Sequence, residues 1–233
     1  MPSHSNRLSD KRGQLVVSLP RNDIELARAA VDAGADVLKV HTNITHASGH
    51  EFGSLSENFA VFKEILALGL PVGIVPGNAE RMIAPEEHKQ LIDLGFAFAN
   101  VDIAATPTFF LNRDLDYIPS IGGGFTEHND PCLPHLNDYA GDWIEASGTP
   151  LSGHDQTLRL SDLLLLRRTS DVVDRRIIVP SVRRLTPQDV PALFDVENVW
   201  ALMLGAYVTG SGKDSLGPAV AAFRAALDRL GVA

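Results

Sequence analysis

The chain has 233 residues, 45% of them hydrophobic and 21% charged, enough for one large core and within the size of a single-domain barrel. A net charge of −9 and a pI near 5.3 argue against a general polyanion-binding surface, so nucleic acid is not an expected partner. No apolar run approaches the roughly 20 residues that cross a bilayer, and Leu163–Leu166 is far too short, so a soluble protein without a membrane partner is expected.

Residues 1–14 are polar, carry both signs of charge and lack the apolar core of a signal peptide, which reads as a loose arm before a single domain over 15–233. The lone Cys132 has no partner for an internal disulfide, and its neighbours Pro131 and Pro134 suggest a turn; cytoplasmic residence suits such a chain.

The apolar run Leu15–Leu19 predicts a first strand, followed by Asn22 as an N-cap and a helix with Ile24, Leu26, Ala27, Ala30 and Val31 at helical spacing. Gly34 ends that helix. The second strand, Val37–His41 and onward, places Val37, Lys39, His41 and Asn43 on one face and Leu38, Val40 and Thr42 on the other. After a loop over 44–53, Phe59, Phe62, Ile65 and Leu66 form the stripe of a second helix over 55–68, and 71–75 forms a third strand.

Pro85 opens a third helix that runs to Gly95, and 96–103 reads as strand four. The aromatic segment 106–114 predicts a stunted fourth helix, 117–121 a fifth strand, 133–139 an abbreviated fifth helix and 143–146 a sixth strand. Helix six is expected over 156–173, strand seven over 176–181, helix seven from Thr186-Pro187 to Phe194, and strand eight over 199–206. Asp214 or Ser215 then caps a last amphipathic helix bearing Val220, Phe223, Ala226, Leu227 and Leu230. Eight strands alternating with about eight helices, joined by right-handed crossovers, close naturally into a (β/α)8 TIM barrel. The competing open sheet lacks its glycine-rich dinucleotide turn here.

Barrel enzymes work at the C-terminal ends of their strands, so the candidate residues are inward and late in each strand. These are Lys39 and His41, Asn100 and Asp102, Glu145 and Ser147, with Ser18 and Ser181 at the periphery. A lysine on a doubly covered strand needs a partner or a task. A desolvated amine can form an imine with a carbonyl while Glu145 or Asp102 shuttles the proton; a structural ion pair filling a barrel layer is the plainer alternative. Phosphate would rest on the backbone amides of Val182, Arg183, Gly205 and Ala206, with charge from Arg183 or Lys213. His41, His46, His50 and Glu51 crowd the loop after strand two, yet lack a recognised divalent-metal ligand spacing, so no cofactor is expected. Gly122-Gly123-Gly124 reads as a flexible turn.

The final strand and its exit, Ala201-Leu202-Met203-Leu204-Gly205-Ala206-Tyr207-Val208-Thr209, resemble those of the ribulose-phosphate-binding barrels, which implies a phosphate at the Gly205 amide. Leu15-Val16-Val17-Ser18, the stretch 29–39 and Arg183-Arg184-Leu185-Thr186-Pro187 are similar to N-acetylmannosamine-6-phosphate 2-epimerase, but its catalytic glutamate falls on Ser181 and its lysine near Pro76 or Gly77. The barrel and phosphate site carry over; the epimerase chemistry does not. Gly34-Ala35-Asp36 with Gly53-Ser54-Leu55 and Asn58-Phe59 resemble (5-formylfuran-3-yl)methyl phosphate synthase, whose imine-forming lysine aligns with His41 and an aspartate with Lys39. Trp143-Ile144-Glu145-Ala146-Ser147-Gly148 resemble strand six of geranylgeranylglyceryl phosphate synthase, whose strand-one aspartate falls on Leu19 or Pro20.

Together these imply an enzyme for a small phosphorylated carbonyl metabolite, with lyase or isomerase chemistry, and a homodimer as the default assembly. A prenyl or glycerol-phosphate transferase and a non-catalytic metabolite-binding barrel are the rival expectations.

Overall fold

The computed structural model describes residues 8–45, 49–112, 114–122, 131–147 and 156–231. Its strands are β1 (Gln14–Ser18), β2 (Val37–His41), β3 (Val72–Val75), β4 (Phe98–Asp102), β5 (Asp116–Ile121), β6 (Trp143–Ala146), β7 (Arg176–Pro180) and β8 (Val199–Leu204). Each pairs in parallel with its sequence neighbours and β8 closes onto β1, so the protein is a (β/α)8 TIM barrel.

Alternation along the strands sorts the side chains into two apolar regions. Leu15, Val17, Leu38 and Val40 join the layer between sheet and helices, while Val16, Val37, Phe98, Ile118, Trp143, Ala201 and Met203 fill the barrel interior. Gly73 makes room for that plug: a Cβ there would stand 2.1 Å from the Phe98 ring. Above the plug, towards the C-terminal ends of the strands, the inward positions turn polar, with Ser18, Lys39, His41 and Asn100 all buried.

The helices follow local chemistry, with some departures from expectation. Helix α1 (Ile24–Asp32) is capped by Asp23, whose side chain accepts from the Glu25 and Leu26 amides, and not by Asn22. Asn22 is drawn away by β2: its Nδ2 donates to the His41 carbonyl at 2.7 Å and its Oδ1 accepts the His41 amide at 3.2 Å. Helix α2 (Leu55–Leu66) starts on a Ser54–Glu57 capping box, and α3 (Pro85–Leu94) has proline in its first turn and ends on a left-handed Gly95.

The stunted fourth helix consists of two 3-10 segments, Ile103–Ala105 and Thr108–Asn112, and the abbreviated fifth of another, Leu133–Asp138. Helix α4 (Leu160–Val172) begins four residues later than expected, because Arg159 is extended and Asp162 turns back to accept its amide. A 3-10 turn, Pro187–Asp189, precedes α5 (Val190–Phe194), and after β8 come α6 (Ala206–Thr209) and α7 (Lys213–Leu230). Gly212, not Asp214 or Ser215, caps α7; Ser215 instead donates its hydroxyl to the Gly212 carbonyl.

The part of the N-terminal arm that is described is tied down rather than loose. Arg12 donates to the carbonyls of Phe194, Val196 and Val199, and the Gln14 side chain to those of Ser9 and Lys11. Beneath the barrel, the Arg176 guanidinium lies 4.4 Å from the centre of the Trp200 ring. No helix among the described residues is long and apolar enough to cross a membrane.

Candidate functional site

Among the described residues, a cavity lies on each side of the plug. The larger, about 900 Å³, lies at the N-terminal ends of the strands between Asp36, Pro71, Asp116, Tyr117 and Trp143. The smaller, about 280 Å³, opens at the C-terminal ends and includes Lys39, Asn78, Asn100, Asp102, Ser120 and Glu145 in its lining. Size favours the first and chemistry the second: the smaller cavity holds the converging polar groups, at the end where barrel enzymes carry their active sites.

β2 carries Lys39 inward to the level at which β4 brings Asn100 and β6 brings Glu145. The Lys39 ammonium donates to Asn100 Oδ1 at 2.8 Å and to Glu145 Oε2 at 3.2 Å. Asn100 donates from Nδ2 to the Ile118 carbonyl at 3.0 Å, which fixes the amide with its oxygen towards the lysine. The side chains of Lys39 and Glu145 are 7% and 13% exposed, so the pair is screened from solvent yet reachable from the cavity.

One position further along β4, Asp102 Oδ1 accepts the Ala104 amide at 2.9 Å. Burial pushes the Asp102 carboxyl above its ordinary range and the charge of Glu145 raises it further, against the lowering effect of that amide. In the folded state Asp102 therefore keeps its proton to higher pH than in the unfolded chain. Between the unfolded value, about 3.9, and the raised folded one, stability falls as pH rises, and the penalty is complete above that window. Asp102→Asn is expected to melt at higher temperature than the wild type at neutral pH, with the advantage vanishing below about pH 3.5; melting curves across that range check it.

His41 is also inward and buried but lies outside this cavity lining; its Nε2 is 3.2 Å from Ser18 Oγ and its ring centroid is 4.6 Å from that of Phe52. Asn43, expected on the same face, leaves the alternation because its φ is +55° and its amide turns to the Gly53 carbonyl. Ser147 is buried beyond the end of β6.

At the proposed phosphate side, the Gly205 amide donates to Ser181 Oγ at 2.8 Å and the Val182 amide to the Pro180 carbonyl at 2.8 Å. Arg183 is buried, with its guanidinium forked onto Asp162 at 2.8 and 3.0 Å and a further contact to Gln156. Among the described residues, its ion pair is with Asp162 of α4. Ala206 opens α6, and Lys213, at the start of α7, is exposed.

Around the loop after β2, Thr45 and Glu51 bridge and Arg81 reaches both. His50 packs edge-on against Phe52, and His46 lies outside the described residues, as do Gly123 and Gly124. Among the described residues no group of three His, Cys, Asp or Glu side chains is placed to hold a metal ion.

Sequence reasoning missed Ser120, Asn78 and Gly77. Ser120 was accessible to it: alternation puts Ser120 on the face of Ile118, and register sets it between Asp102 and Glu145. Gly77 was not. Its φ of +147° and the 2.2 Å that would separate an added Cβ from the Arg81 carbonyl oxygen appear only once the loop after β3 is folded.

No protein-family profile and no curated protein sequence matches the chain. Solved structures do. The tryptophan synthase A-subunit from Pyrococcus furiosus is 14% identical with a TM-score of 0.71, covering 91% of this chain and 98% of that one. The tryptophan synthase alpha chain from Legionella pneumophila is 13% identical with a TM-score of 0.70, over 95% and 93%. Phosphoribosyl anthranilate isomerase from Thermus thermophilus is 16% identical with a TM-score of 0.64, over 93% and 99%. At such identities the likeness establishes the fold.

Proposed function

We propose that the protein is an enzyme acting on a small phosphorylated, carbonyl-containing metabolite by lyase or isomerase chemistry, with Lys39 as the reacting amine. The observation that carries this is the Lys39 ammonium, held between Asn100 and Glu145 at the bottom of a polar cavity on the C-terminal side of the barrel. One structural neighbour named a phosphoribosyl anthranilate isomerase supports the reading by analogy of fold.

In this mechanism Glu145 accepts a proton from the ammonium and frees the amine to attack the carbonyl carbon. Glu145 then returns that proton to the carbinolamine hydroxyl, so that water leaves and the imine forms. The carbanion or enamine that follows is stabilised by the imine nitrogen, so the scheme requires no metal. A wall of Asn78, Asn100, Asp102 and Ser120 suits hydroxyl groups better than a prenyl chain, which sets the transferase reading behind this one.

Phosphate is assigned to the amides of Gly205 and Ala206 and the Val182–Arg183 turn. A phosphate oxygen takes the Gly205 amide from Ser181 Oγ, and the serine hydroxyl, released, donates to the phosphate instead. Because Arg183 is committed to Asp162, amide dipoles carry most of this binding. Cytoplasmic residence and a homodimer complete the proposal.

Titration tests it. Sugar phosphates are expected to raise thermal stability, by about 2.7 kcal/mol at a hundredfold excess over Kd, and their unphosphorylated counterparts much less. Stabilisation by the unphosphorylated sugars alone would overturn the phosphate assignment.

A further inference from the structure

The charge of the cavity wall carries an inference about the substrate itself, and it rests on the reading of Lys39 as the reacting amine. Among the described residues, the cavity lining contains one cation, Lys39, against two carboxylates, Asp102 and Glu145. Lys39 is already paired with Glu145 at 3.2 Å, so the lysine offers little uncompensated positive charge to a ligand. Asp102 stands on the neighbouring side with Ser120 beside it in register, and Ser120 in turn sits beside Glu145.

We infer that the part of the substrate entering this cavity is a neutral hydroxy-aldehyde or hydroxy-ketone, and that Asp102 is the residue that rejects 2-oxo acids. A carboxylate beside the reacting carbonyl meets acceptor oxygens and like charge at close range, beside largely buried side chains where charges are screened less than in bulk water. Hydroxyl groups meet the same wall as donors to Asp102 and Glu145, and Asn100 and Ser120 complete their hydrogen bonds. The anionic phosphate is thereby confined to the β7–β8 side, which orients the molecule with its phosphate there and its carbonyl at Lys39.

The test uses two probes of one size, glycolaldehyde and glyoxylate, with cyanoborohydride as reductant. The amine nitrogen bonds to the aldehyde carbon, water leaves, and hydride from the reductant converts the imine to a stable secondary amine. Peptide mass spectrometry compares labelling of Lys39 with that of exposed Lys89, which corrects for the intrinsic reactivity of each aldehyde. Relative to Lys89, Lys39 is expected to prefer glycolaldehyde over glyoxylate by about tenfold or more. In Asp102→Asn the glyoxylate-to-glycolaldehyde ratio at Lys39 should rise towards that of Lys89. Equal or preferential labelling by glyoxylate in the wild type overturns the inference and leaves the amine reading intact; so does an unchanged ratio in folded Asp102→Asn for the role of Asp102. Absence of any label on Lys39, with Lys89 labelled, removes the amine reading and this inference with it.

Discussion

Borohydride added with a carbonyl substrate is expected to trap a secondary amine on Lys39, and Lys39→Arg is expected to reduce turnover to background while the barrel stays folded. Arginine retains the positive charge that Glu145 and Asn100 face, so the polar layer above the plug keeps its balance, but a guanidinium cannot form an imine. Glu145→Gln should lose about 10²–10⁴-fold, the scale of one general acid or base, because the amide still accepts a hydrogen bond but takes no proton. The competing account, a lysine–glutamate pair that only fills the barrel, predicts the opposite pattern. Breaking a buried pair from one side costs about 3–5 kcal/mol, so Lys39→Met destabilises the fold on either account, whereas only on the competing one does Lys39→Arg keep full activity. Turnover of Lys39→Arg, read beside its denaturation midpoint, therefore separates the accounts.

The largest loss of stability is expected elsewhere, in Asp162→Ala. The Asp162 side chain is 1% exposed and that of Arg183 is 7% exposed. Asp162 Oδ1 and Oδ2 receive the Arg183 fork, and Oδ2 also accepts the Arg159 amide at the start of α4. Alanine strands a buried guanidinium and uncaps the helix in one step, with a loss of about 3–5 kcal/mol from a total that for most domains is about 5–15 kcal/mol. Asp162→Asn, which can still accept the amide, should lose less, and Asp162→Leu combined with Arg183→Met should recover part of the loss, since apolar replacement of a whole buried pair is tolerated. Urea denaturation midpoints at constant slope measure all three. Because the pair anchors the turn after β7, Asp162→Ala should also weaken phosphate binding at the Val182–Arg183 amides.

Much of the fold was legible along the chain. Short apolar runs marked the strands, and the apolar stripe over Phe59, Phe62, Ile65 and Leu66 marked α2. Phe109 and Phe110 are packed against His88 of α3 within 3-10 segments, as a short aromatic stretch with no helical stripe suggested. Local caps were less legible. Asn22 and Asp23 are both competent N-caps, and what separates them is that the Asn22 amide has an edge of β2 to bridge, a contact 19 residues away. The alternation of β2 likewise said that Lys39 points inward but not that Asn43 turns out of line.

The sequence by itself determined the alternation of elements, the inward face of each strand and hence the presence of Lys39, Asn100, Asp102 and Glu145 within one barrel. Only the tertiary structure decided how they are paired. Lys39 meets Asn100 across 61 residues of chain and Glu145 across 106, and Arg183 pairs with Asp162. The physical reason is that periodicity encodes which face a side chain takes, a local property of the backbone. Its partner is set by the closure and register of the whole sheet, and by the competition among buried charges for the few groups that can neutralise them.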